Sequence, residues 1–142
     1  MIDSKDLTTE APRSPRIRLG GYAILARALD KGRASLNGKN GGYHFDCPLD
    51  NYLFSFKEVA GADLSALLAG GASDQQAVEW LDGHGAPKSV DEITAFSDAM
   101  EAARPFDDPA KRDWFVGECE PLGIDPTESS LFDYLEKDDA AL

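Results

Sequence analysis

Apolar residues recur at helical spacing along most of the chain. Tyr22, Leu25, Leu29 and Leu36 fall on one face, widened by Ile24 and Ala28, so the spacing predicts a first long helix from about Gly21 to Leu36. On that wheel Arg27, Asp30 and Lys31 point outward, and Asn37-Gly38 supplies a left-handed stop. A second helix opens at Cys47 as N-cap with Pro48 at its first position and Asp50 at its third; Leu49, Tyr52, Leu53 and Phe56 follow as its apolar stripe. Ala62–Ala69 is a short helix with Leu64, Leu67 and Leu68 inward. Ser73-Asp74-Gln75-Gln76 and Ser89-Val90-Asp91-Glu92 read as capping boxes. They open helices that bury Ala77, Val78, Trp80 or Leu81, and Ile93, Phe96 and Met100. Asp108-Pro109 opens a further helix carrying Trp114, Phe115, Cys119 and Leu122, and Asp125-Pro126 opens the last, with Leu131, Phe132 and Leu135 inward. Trp80 and Trp114 read as core anchors, and His84 as a loop residue.

Two stretches depart from this grammar. Residues 12–20 begin like a helix, with Ser14 as cap and Pro15 behind it. Gly20-Gly21 interrupts any such helix, at about 1 kcal/mol per glycine relative to alanine, so this is an ordered loop or a single turn. Lys39–Gly42 is a glycine-rich loop, and Tyr43-His44-Phe45 alternates like a short extended segment. The predicted fold class is therefore mainly α: a compact helical bundle of six or seven short helices with little or no β. The expected organisation is one domain over 1–142, with 1–11 a polar lead-in that has little to bury and 137–142 an acidic tail that frays.

Composition changes this picture little, but charge does. The net charge is −12, divided into +3 over residues 1–33 and −15 over the remainder. Most of such a surface repels nucleic acid and anionic membrane, and no aromatic stacking set accompanies the basic quarter. No apolar run approaches the roughly 20 residues of a membrane span. The first residues lack the basic head and apolar core of a secretory leader. The two cysteines, Cys47 and Cys119, are too few for a disulfide framework. The expected location is cytoplasmic, with both thiols reduced.

Three groups of residues carry candidate chemistry. Arg13, Arg16 and Arg18 lie within six residues, braced by Pro12 and Pro15. Guanidinium forks suit phosphate or carboxylate, so this loop is a candidate binding site for an anionic small molecule or an acidic protein segment. The plainer reading pairs the same arginines with acids of the later helices. The second group is His44-Phe45-Asp46-Cys47-Pro48-Leu49-Asp50. A cysteine at a helix start can be a nucleophile with His44 as its base, although Asp46 and Asp50 oppose a thiolate there. The plainer reading makes Cys47 a small apolar residue and Asp50 a complement to the helix dipole. Paired Cys-x-x-Cys or His-x-x-x-His spacing is absent, so neither a metal nor a cofactor is expected. The third group is acidic: Asp133, Glu136, Asp138 and Asp139 could bind a cation or imitate DNA, but read more simply as a solvated helix end.

Four motifs in order, Pro12-Arg13-Ser14-Pro15-Arg16, Leu19-Gly20-Gly21-Tyr22, Leu29-Asp30-Lys31-Gly32-Arg33-Ala34 and Tyr43-His44-Phe45-Asp46-Cys47-Pro48-Leu49-Asp50, resemble the family called domain of unknown function 5069. Ser73-Asp74 through Trp80-Leu81, and Leu131–Leu135 with Asp138-Asp139, also look like family positions. The resemblance implies a soluble, mainly helical bacterial protein and brings no activity with it. Gly32, where the family pattern suggests alanine, departs from it. The loop and the Tyr43–Asp50 segment are expected to pack together, placing Arg13, Arg16 and Tyr43 in one pocket with His44 and Asp50. The leading expectation is a binding or regulatory module using the arginine loop. The alternatives are an enzyme using Cys47 or His44, and a structural subunit of a larger assembly.

Overall fold

A computed structural model describes residues 2–142. It contains seven α-helices: α1 (Leu25–Leu36), α2 (Pro48–Lys57), α3 (Gly61–Ala69), α4 (Asp74–Gly83), α5 (Val90–Ala102), α6 (Arg112–Cys119) and α7 (Leu131–Ala140). Two single 3-10 turns, Pro105–Asp107 and Glu120–Leu122, flank α6. Among the described residues there is no strand, only one isolated bridge between Leu19 and Tyr22. The mainly α class is as the periodicity predicts. Tyr43 and His44 lie in irregular backbone between two turns, Gly41-Gly42 and Phe45-Asp46, and form no strand.

The first helix begins at Leu25, later than its apolar pattern suggests. Gly20 and Gly21 take positive φ, and so does Ile24 at φ 76, a strained conformation for a β-branched residue. The turn is held from several sides. Ile24 N–H donates to the Pro15 carbonyl at 2.8 Å. The Ser97 hydroxyl accepts from Ala23 N–H at 2.8 Å and donates to the Gly21 carbonyl at 2.6 Å. With these residues committed to α5 and to the loop, the helix can start only after them.

Burial of α1 corrects a second expectation. Arg27, Asp30 and Lys31 do not face outward; they are buried, at 3%, 6% and 3% exposure. The helix is enclosed as far as Ala34, and each charged residue meets an opposite charge; Leu36, expected on the buried face, is instead 41% exposed in the last turn. Its apolar face joins Tyr22 and Ile24 to Leu53 and Phe54 of α2, Leu64 and Leu68 of α3, Leu81 of α4, Ile93 of α5 and Phe132 of α7. Gly32 has a packing reason: a Cβ there would sit 2.8 Å from Leu68 Cδ1 and 3.1 Å from the Phe45 ring.

A smaller cluster joins Phe115 and Cys119 of α6 to Tyr134 of α7, with Phe106, Leu122 and Ile124 around them. Leu131 and Leu135 touch both clusters, so α7 is the bridge between them. Both capping boxes form as read. The last helix starts at Leu131, capped by Ser130 with Asp133 in a third box, and not at Asp125-Pro126. Asp108-Pro109 likewise lies in a turn ahead of α6. Trp114 is no core anchor: it is 49% exposed, with its edge against Tyr134. Trp80 is half-buried and stacks on His84. In the lead-in, Leu7 is buried and its N–H donates to the Lys39 carbonyl at 2.8 Å.

Candidate functional site

The arginine loop is the natural place to begin, because all three guanidiniums are already paired. Arg13 donates from Nε and Nη2 to Asp30 at 3.0–3.2 Å and from Nη1 to Asp74 at 2.9 Å; its backbone N–H adds a 2.8 Å bond to Asp30. Arg33 meets the same Asp74 at 2.8 Å, so two cations and two anions tie the loop and α1 to the start of α4. Hydrogen bonds from Arg13 lead the effects that hold Asp74 below the usual carboxylate range. Arg16 pairs with Asp133 and Glu136 of α7, and its guanidinium lies over the Phe132 ring. Burial pushes Glu136 up, but hydrogen bonds from Ser14 and Arg16 outweigh it and leave the carboxyl lowered. Arg18 reaches Asp98 at 2.8 Å and Glu101 at 3.7 Å on α5. One short loop therefore fastens α4, α5 and α7 around α1. The cleft that Tyr43 and His44 line includes none of the three arginines.

What α1 sends toward the Tyr43–Asp50 segment is a different pair. Arg27 and Lys31 stand four residues apart, hence on one face, and both reach that segment. Arg27 makes a two-pronged ion pair with Asp139 at 2.7 and 3.1 Å. Its guanidinium also lies 5.5 Å from the centre of the Tyr43 ring. The Tyr43 hydroxyl donates to Asp139 at 3.0 Å. Burial, and then the Asp139 charge, push the Tyr43 phenol up to about 12. Asp139 lies in the stretch whose sequence suggested a solvated end, yet it anchors α7 to α1.

Lys31 goes deeper. Its Nζ donates to Cys47 Sγ at 3.2 Å and lies 2.9 Å from Asp50 Oδ1. That ion pair is the partner of Oδ1 in a site closed to solvent. The other oxygen, Oδ2, accepts from Asp46 N–H at 2.9 Å. Asp50 is fully buried. Desolvation raises its pKa, and the Lys31 charge offsets part of the rise.

The thiol is presented by a pinned turn. Asp46 adopts a left-handed conformation at φ 61 just before Cys47. Asn51 Nδ2 donates to its carbonyl and to its carboxylate at 2.9–3.0 Å. Gly61 makes room for that carboxylate; a Cβ there would lie 2.5 Å from Asp46 Oδ1. Cys47 occupies the N-cap of α2 without using its side chain as the cap, and is half-buried. Cys47 lines a cleft of about 480 Å³ together with Arg27, Lys31, Tyr43, His44, Leu135 and Asp138 among others. His44 is exposed at this cleft, and no hydrogen bond joins it to Cys47. Cys119 is buried in the second cluster, and both cysteines are free. Among the described residues no group of three His, Cys, Asp or Glu side chains has metal-binding geometry.

The family model for Domain of unknown function (DUF5069) matches residues 9–141. The chain belongs to the DUF5069 family. A comparison with curated proteins finds no match. The DUF5069 match runs through the paired arginines, the buried charges of α1, the Tyr43–Asp50 segment and the acids of α7 alike. Among the described residues, no helix of this DUF5069 protein is long and apolar enough to cross a membrane. The wheel for α1 missed Arg27 and Lys31 as site residues because it assigns every charge to solvent. A signal was present: four charged residues, Arg27, Asp30, Lys31 and Arg33, stand inside a stretch from Tyr22 to Ala34 that is otherwise wholly small or apolar.

Proposed function

We propose that this protein works through the Cys47 thiol, as a nucleophile toward a small electrophile that enters the cleft beside it. The reading rests on one observation: a buried ammonium, Lys31, donates to the sulfur of a cysteine that stands at a helix N-terminus and lines an open cleft. A neighbouring cation and a helix start are the surroundings in which reactive cysteines are found, whereas structural cysteines lie in apolar ones. Cys119, enclosed by aromatic and aliphatic groups, supplies the contrast within the same chain. Asp50 holds Lys31 in place, and Asp46 and Asn51 fix the turn, so the sulfur is presented rigidly. His44 is the exposed titratable group on the cleft wall and the candidate to move a proton to or from a bound molecule.

Recognition of an anion through Arg13, Arg16 and Arg18 fits less well. An incoming anion would have to displace an intramolecular carboxylate at each arginine, against the attraction that closes the loop. The test is timed alkylation with iodoacetamide, each cysteine being followed by peptide mass analysis. Cys47 is expected to be modified well before Cys119, and Lys31→Met combined with Asp50→Leu, which removes the ammonium without stranding its partner, is expected to slow it while leaving the Cys119 rate unchanged. Equal rates in the native protein, or a Cys47 rate indifferent to Lys31, would remove the thiol reading.

A further inference from the structure

A second concavity shares Cys47 with the first cleft but is not lined by His44. It runs between α2 and α6 over the surface of α7, holds about 440 Å³, and is walled by Leu49, Tyr52, Trp114, Leu131, Tyr134 and Leu135. Its walls are almost entirely carbon, in a protein whose surface is otherwise densely charged. The volume lies within the roughly 300–1,000 Å³ of small-molecule sites, which combine an apolar lining with a few placed polar groups. Trp114 and Tyr52, 49% and 39% exposed, leave large aromatic faces open to solvent.

The placed polar group is at one end. Lys111 Nζ donates to the Tyr52 hydroxyl at 2.5 Å and lies 5.2 Å from the centre of that ring. Among the described residues it forms no ion pair with a carboxylate. A primary ammonium has three donors, and only one is engaged. The Tyr52 hydroxyl accepts from Lys111 and keeps its own proton for a further acceptor. The wall therefore offers two sets of unused N–H or O–H donors and a positive charge with no carboxylate in direct contact, beside an oily trough.

We infer that this groove binds a hydrocarbon carrying a single anionic head group, of the chemistry of a medium-chain carboxylic acid. The chain lies along Leu49, Trp114, Leu131 and Leu135, and the carboxylate meets Lys111 and Tyr52. Burial of the chain, which takes apolar surface out of water, supplies the affinity. The head group fixes direction and discriminates against neutral or cationic analogues. The inference concerns binding and stands apart from the reactivity of Cys47, so either can fail without the other.

The probe is sodium decanoate, titrated below its micelle concentration and followed by calorimetry and tryptophan fluorescence, with decanol and decylammonium as comparisons. The expected result is saturable one-to-one binding of decanoate with a blue shift as the Trp114 ring loses water. Decanol should bind about tenfold more weakly, the loss expected for one charge-assisted hydrogen bond. Lys111→Met should bring decanoate down to the level of decanol, and Trp114→Ala should weaken both by calorimetry. Both substituted side chains are exposed, and circular dichroism checks that each variant keeps its helices. Absence of saturable binding overturns the inference, as does equal affinity for decanol and decanoate. So does a native protein that sediments as a dimer broken by Trp114→Ala, because the occupant would then be a second copy of the chain.

Discussion

Replacing Arg13 by alanine separates a structural clasp from a loop held open for a ligand. Arg13 is the main hydrogen-bonding partner of Asp30, whose carboxylate is 8% exposed. Alanine keeps the backbone N–H bond to Asp30 but removes the donors from Nε and Nη2, and Asp74 loses its Nη1 partner. Stranding a fully buried charge costs about 3–5 kcal/mol. Arg13 is itself 24% exposed, so its removal admits water to Asp30, and the lower end applies: about 3 kcal/mol. Arg18 gives the comparison within the same loop. Its partner Asp98 is 65% exposed, and such pairs contribute about 0–1 kcal/mol. Arg16, with half-exposed partners and a stacked ring, belongs between them. The assay is urea denaturation of the three single alanine variants, with Arg13→Ala repeated in an Asp30→Ala background. The expected order of loss is Arg13, then Arg16, then Arg18. The Arg13 variant should melt roughly 10 °C lower, and the coupling to Asp30 should exceed about 1 kcal/mol. If Arg13→Ala costs no more than Arg18→Ala, the clasp reasoning is wrong and the loop is free for an outside partner.

Two further outcomes follow from the same charges. Asp50→Ala should destabilise by about 3–5 kcal/mol, because Lys31 then remains buried with only a thiol beside it; Lys31→Met combined with Asp50→Leu should recover most of the loss in the same urea experiment. Asp74, Asp133 and Glu136 have folded-state pKa values depressed below their unfolded ones, so their contribution is complete above about pH 5 and disappears as pH falls through the folded values. A melting temperature that is flat from neutral pH to about pH 5 and then falls is expected; Asp50, raised in the folded state, works in the opposite direction and reduces the slope without reversing it.

The elements were legible because each rests on local chemistry. Ser73, Ser89, Pro48 and the leucine stripes state helix starts and faces within a few residues of themselves, and the helices form there. What local pattern cannot carry is the partner of a charge. Arg13 finds Asp74 61 residues away, and Arg16 finds Glu136 120 residues away. No window along the chain contains both ends, so the loop reads equally well as an open site and as a clasp. The opposite error affects Arg27 and Lys31. A helical wheel sends charges to solvent by default, yet these two are buried against Asp139 and Asp50, which the sequence marks only as helix-end acids.

Both differences have one physical origin, and it bears on the proposed site. Burying an ammonium or guanidinium costs several kcal/mol unless its partner is fixed, and replacement of such pairs by apolar residues is often neutral or stabilising. A fold that keeps Lys31 and Asp50 in its interior therefore gains little stability by doing so. The pair does fix position: Lys31 Nζ reaches the Cys47 sulfur while Asp50 holds both that ammonium and the Asp46 N–H at the turn before the thiol. The arginine loop carries more charge but spends all of it on holding helices together. The smaller set, with one lysine, one carboxylate and one sulfur at an open cleft, retains an atom that can react. Lys31→Met/Asp50→Leu sharpens the distinction: it should fold with most of its stability, yet Cys47 should lose its alkylation advantage over Cys119. A variant that keeps that advantage would show that the buried pair serves packing alone.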